Sequence, residues 1–313
     1  MGAKLGHFAK LAVALATAVT VWACASGGGI TGTSIVVGPI SGLGSIVVNG
    51  IDFDTTNAEV TVDGDPATAA DLELGMIVVV RGKIHGDGVT GEAERIGSDH
   101  LLFGPVEAVN VGDGTFVAMS QLVITDTATV FDGVTLDTLV AGDVVGIFGG
   151  VDADGSIRAT RVEKQDEFDA FELTGVITSF DATAQTFRFG LLTIDFSAAI
   201  IEGAPASGLA DGLFVEAETD QAPVDDVLTA ISIEVQAPRL GFEPGDKAEV
   251  QGFVTSVASA TEFVLNATER VRIKDGTTFK NGTRDDIVLN ARLEASGDLR
   301  ADATLAATAV EFL

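Results

Sequence analysis

The chain has 313 residues, with 46 acidic against 18 basic side chains and a formal net charge of −28. Such a surface repels phosphate backbones, so the composition argues against nucleic-acid binding. A single cysteine excludes an internal disulfide, and one tryptophan with no tyrosine removes most aromatic stacking platforms. Gly, Thr, Val, Ala and Asp dominate and the apolar residues come in short runs, which reads as an all-β chain with tight turns.

Lys4 and Lys10 precede an uncharged run from Leu11 to Trp22, which fits a secretory signal and is too short to span a bilayer. The run ends at Val21-Trp22-Ala23-Cys24, which resembles the lipobox of bacterial lipoproteins. That resemblance implies cleavage before Cys24, lipidation of Cys24 and, with Ala25 following it, a lipid-anchored place on the outer membrane. Residues 1–23 are then a lipoprotein signal peptide. Residues 24–34, rich in Gly and Ser, form a flexible tether. Removing 1–23 takes away two lysines and no acid, which leaves 16 bases against 46 acids, a net charge of −30.

Beyond the tether, one small β unit recurs four times, over 35–97, 103–164, 171–235 and 246–313. In the first, Ile46-Val47-Val48 and Ile51-Asp52-Phe53 flank Asn49-Gly50, a strong hairpin signal. Glu59 to Val62 alternates as a half-buried strand and stops at Asp63-Gly64. Pro66 to Leu74 reads as a short helix, with Asp65 as its N-cap and Gly75 past its end. Met76 to Val80 is a continuous apolar strand, and Glu92 to Ile96 is the last.

The later units repeat the plan, opening at Gly104, Gly175 and Gly252 as the first opens at Gly38. The openings lie 66, 71 and 77 residues apart, a drift that predicts separate domains on variable linkers rather than a solenoid. The linker over 236–245 is the longest.

Five strands with a short helix between strands three and four is the order of an OB-like barrel, so the expected architecture is four tandem small OB-like barrels, with a small sandwich or open half-barrel as the alternative that sequence does not separate. The Gly-Pro-Ile opening, the Val-Asp-Gly turn and the Leu-x-x-Gly-Met-x-Val-x-Val strand resemble a family of bacterial lipoprotein repeats of unassigned function. The resemblance covers most of the mature chain, strongly in the first two repeats, and it carries no functional residues to transfer.

No catalytic constellation stands out. His85 beside a turn and His100 in a linker read as surface histidines, and the abundant acids single out no pair. Asp152-Ala153-Asp154-Gly155 resembles the start of a calcium loop, which makes Asp152 and Asp154 weak metal candidates. Ile157, however, stands where an EF-hand needs glycine, and a hairpin turn accounts for the segment. Residues 246–313 hold half of the mature basic residues. Within them Arg270, Arg272 and Lys274 alternate with Val271 and Ile273 and should share one strand face, either solvated or in contact with an anionic partner. The expected function is therefore a non-catalytic cell-envelope module without cofactor, bound to the membrane through Cys24 and meeting an envelope protein or glycan. Weak calcium binding and a calcium-dependent adhesive or glycan-binding role form the alternative; an envelope hydrolase comes third.

Overall fold

The computed structural model describes residues 30–166, 168, 170–236 and 244–313. The signal peptide, Cys24, most of the tether and most of the 236–245 linker fall outside the described residues. Those described are all-β.

The first repeat contains β1 (Gly32–Gly42), β2 (Ile46–Val48), β3 (Ile51–Asp54), β4 (Glu59–Val62), β5 (Asp65–Ala67), β6 (Ile77–Ile84) and β7 (Thr90–Ser98). The second contains β8 (Leu102–Asn110), β9 (Thr115–Ala118), β10 (Gln121–Ile124), β11 (Val130–Asp132), β12 (Val144–Val151) and β13 (Ile157–Gln165). The third is more broken: β14 (Phe171–Val176), β15 (Thr178–Asp181), β16 (Thr186–Phe189), β17 (Leu192–Asp195), β18 (Ile200–Glu202), β19 (Phe214–Thr219), β20 (Val227–Thr229) and β21 (Ser232–Val235). The fourth holds β22 (Lys247–Ser259), β23 (Glu262–Leu265), β24 (Glu269–Lys280), β25 (Arg292–Leu299) and β26 (Leu305–Phe312).

Three of the repeats close on themselves. In the first, β1 pairs with β2, β2 with β3, β3 runs parallel to β7, β7 pairs with β6, and β6 returns to β1. The same ring forms from β8, β9, β10, β13 and β12, and from β22, β23, β24, β26 and β25. In the third repeat the ring is interrupted where β14 passes into β15 and β20 into β21. Closure leaves few exposed strand edges for so short a unit.

Local chemistry explains the recurrence. Asn49 and Gly50 take φ of 50° and 77°, the left-handed pair that a tight β2–β3 turn needs. The side chain of Asn49 folds back over Gly38, where a Cβ would collide with it, and Asn266 does the same over Gly252. In the second repeat Met119 fills that place over Gly104. Gly75, Gly142, Gly212 and Asn290 all have positive φ, and each donates its N–H to the opening strand of its own repeat or the residue just past it, at Ile40, Val106, Ile177 and Val254.

The expected helix is absent. Asp65–Ala67 pairs with β4 as a hairpin, and the chain then makes one 3-10 turn at Ala69–Asp71, capped by Thr68 rather than by Asp65. The fourth repeat keeps a similar turn at Arg284–Asp286, whereas the second and third have only irregular turns at this point. A single turn cannot recover the cost of helix nucleation. The segment instead supplies one buried apolar plug: Leu72, Leu139, Leu209 and Ile287.

The repeats are not independent. Strand β1 runs parallel to β22 over Ser34–Val37 and Lys247–Val250, joining the first and fourth repeats in one 12-stranded sheet. Strands β8 and β14 join the second and third. Alternate residues of β1 and β6 therefore serve different cores. Val36, Val78 and Val80 pack inside the first repeat, and Ile35, Val37 and Val79 pack with Ala248, Val250 and Leu293 of the fourth. Burial on both faces is why these strands read as unbroken apolar runs. Variable spacing between repeats reads as free domains, but each fully buried aliphatic side chain contributes about 1.5–3 kcal/mol, which favours fusion.

Candidate functional site

Between the first and second repeats lies a buried ionic seam. His100, on the short connection after β7, places Nδ1 2.8 Å from Asp63 and Nε2 3.0 Å from Glu163, while its backbone N–H donates to Asp63. Its ring lies against Phe148, 4.1 Å between centroids. Burial alone would lower the imidazole pKa, but the hydrogen bonds and charges of the two carboxylates overcome this and raise it to about 9. Burial likewise pushes Asp63 and Glu163 up, and His100 holds both below their ordinary values.

Arg161, its side chain 3% exposed, completes the seam. It donates to Glu73 and the Leu74 carbonyl of the first repeat and to Asp132 and Glu163 of its own. Both imidazole nitrogens are committed, so this histidine has no lone pair to accept a proton at neutral pH. The arrangement holds two repeats together. Thr160 reinforces it, donating its hydroxyl to the Gly75 carbonyl.

Beside the seam, residues of all four repeats line an open cavity of about 380 Å³. Its walls are largely apolar, with Ile40 and Leu74 from the first repeat, Ile124 and Val130 from the second, Phe214 from the third and Phe253 from the fourth. Charged groups at the lining are Asp126, Arg158, Glu269 and Arg292. This size and mixture suit a small ligand with an apolar body.

The structure disperses the residues singled out in the sequence. Asp152, only 3% exposed, accepts from Arg158 Nε on both of its oxygens, at 2.9 and 2.8 Å. Asp154 accepts from the Ser156 hydroxyl and N–H, which hold its carboxyl below the ordinary range. The two acids are thus occupied by different partners. Arg270, Arg272 and Lys274 alternate with buried Val271 and Ile273 on β24, and each meets an acceptor of its own repeat: the Asp302 carbonyl, Glu262 and Asp298. His85 is a surface residue bonded to Thr90. His100 is not, since its side chain is 8% exposed. The residues that organise the junction, His100, Arg161 and Arg158, carry no local motif. The one trace is Arg161 followed by Val162, a break in the alternation of β13 that buries two successive side chains.

A family model described as a domain of unknown function, DUF5666, matches residues 36–97, 103–163, 174–234 and 251–311. The chain belongs to the DUF5666 family. Each of the three closed rings and the interrupted one corresponds to one DUF5666 repeat, and the cavity sits where the DUF5666 repeats converge. No curated protein matches the chain. A solved structure of Drosophila Unr CSD456 aligns with 68% of this chain and 97% of its own, at 14% identity and a TM-score of 0.19. A superposition that loose carries no inference about fold or function.

Proposed function

We propose that the chain is a non-catalytic interaction or structural module of the cell envelope, built of OB-like barrels and anchored to the outer membrane by lipid on Cys24. The observation that carries this reading is the use made of the chemically capable side chains. His100 and Arg161 are engaged in bonds that position the repeats, Asp152 is engaged by Arg158 within its own repeat, and the chain as a whole is strongly acidic. Tandem repeats on a tether multiply weak contacts through effective concentration. The lipid anchor is supported by the basic, apolar and cysteine-terminated pattern of residues 4–24. Bacterial lipoprotein cysteines carry more than one acyl chain, as stable anchoring requires.

Two measurements test this. Cys24→Ala should release the chain from membranes after a high-salt wash; retention would place the anchor elsewhere. Thermal unfolding with millimolar calcium and a panel of envelope glycans reports which of them bind, and the glycans recovered after incubation should be intact; cleavage of one would end the non-catalytic reading. A calcium shift abolished by Asp152→Asn would favour cation-dependent adhesion instead.

A further inference from the structure

Arg158 is held on two sides. Its Nε donates to both oxygens of buried Asp152, and its guanidinium carbon stands 5.3 Å from the centre of the Phe253 ring, across the boundary between the second and fourth repeats. A guanidinium fixed at its edge by a carboxylate and on its face by an aromatic ring has lost its rotamer freedom before any ligand arrives. Among the described residues no hydrogen bond uses Nη1 or Nη2, and Arg158 lines the cavity. Its remaining donors form the fork that matches a carboxylate.

The charge balance points the same way. Acids outnumber bases 46 to 18 over the chain, yet the cavity lining pairs Arg158 and Arg292 with two acids, Asp126 and Glu269. Asp126 is itself engaged, accepting from the Ala128 N–H. The charges of the cavity lining therefore cancel, two against two, in a molecule of net charge −28, and its apolar walls come from all four repeats. We infer that this cavity binds an amphipathic carboxylate, its head on the Arg158 fork and its apolar body against Ile124, Val130 and Phe214. The site goes beyond the envelope reading and does not depend on it. It exists only in the assembled chain, because Asp152 and Arg158 come from one repeat and Phe253 from another.

The test is isothermal titration of the mature chain carrying Cys24→Ser, which needs no detergent, with decanoate, decylammonium and acetate as probes. Decanoate should bind one saturable site, with decylammonium at least tenfold weaker and acetate undetectable. The paired variant Asp152→Asn, Arg158→Gln leaves no orphaned charge; it should weaken decanoate at least tenfold and leave decylammonium unchanged. If that variant fails to fold, Arg292→Gln at the exposed rim serves in its place, with an expected weakening of about threefold. Equal binding of the two decyl probes, no saturable decanoate site, or wild-type decanoate affinity in the folded variant would each overturn the assignment.

Discussion

At the scale of single residues, charge and burial make His100 the sharpest case. Its folded pKa of about 9 lies above the ordinary 6.5, so the folded state holds this proton more tightly than the unfolded chain. The resulting stability is fully present below pH 6.5 and is lost as pH rises through about 9, roughly 3 kcal/mol for a shift of this size. Titration of the imidazole followed by NMR should show a midpoint near 9, and a midpoint near 6.5 would mean that the seam is open in solution. His100→Gln should lower stability at pH 7 by about 3 kcal/mol by leaving the Asp63 carboxylate without its cation and Glu163 with Arg161 alone. The two hairpin asparagines give a finer comparison. Asn266 donates to the Gln251 carbonyl and accepts from the Phe253 N–H, whereas Asn49 donates to the Val37 carbonyl and its Oδ1 has no hydrogen-bond partner among the described residues, because the residue equivalent to Phe253 is Pro39. Asn266→Ala should therefore cost about 1 kcal/mol more than Asn49→Ala in denaturant unfolding. The Asn-Gly hairpin was legible from its dipeptide alone. The seam was not, since Asp63 and Glu163 stand 37 and 63 residues from the histidine they share.

At the scale of strands and turns, short elements borrow their stability from neighbours. Phe148 lies on β12 of the second repeat yet belongs to the core of the first, packed against the His100 ring. Phe148→Ala should cost about 3–5 kcal/mol. Exchange of backbone amides should then quicken in β6 and β7 as well as in β12; a change confined to β12 and β13 would show that the contact carries no load. The apolar run Met76 to Val80 announced a buried strand, and the positive φ of Gly75 was legible from its place after Leu74. Pro66 to Leu74 misled because a proline after an acid is also how a short edge strand begins, and the Asp63-Gly64 turn pairs it with β4. Local pattern gives the plug its leucine. It does not decide between a single 3-10 turn and an α-helix of one to two turns.

At the scale of the whole molecule, opposed titrations set the pH of greatest stability. Burial, aided by Glu172, raises Glu216 to about 7, and burial also pushes Glu249 and Glu294 up at the boundary of the first and fourth repeats. These groups, like His100, favour the folded state while protonated, so stability declines as pH rises from about 4.5 upward. Exposed Asp54, Asp71 and Asp87, lowered by hydrogen bonds from neighbouring threonines, act in the opposite sense and lose their contribution as pH falls through their lowered values. The melting temperature should therefore peak in mildly acidic solution, between about pH 4 and 6, and fall by about pH 9; a higher value at about pH 9 than at about pH 5.5 would contradict this. Four repeats were legible from sequence because each obeys the same local rules. Their fusion was hidden, since nothing local tells Ile35 that its neighbours are Ala248 and Val250. Ile35→Ala tests that fusion most directly, by hydrogen exchange. The substitution removes a side chain of the first repeat from the core of the fourth, at about 2–5 kcal/mol. Fused cores predict faster exchange in β22 and β25 to the same degree as in β1 and β6. Exchange that quickens in the first repeat alone, with β22 and β25 unchanged, would contradict fusion.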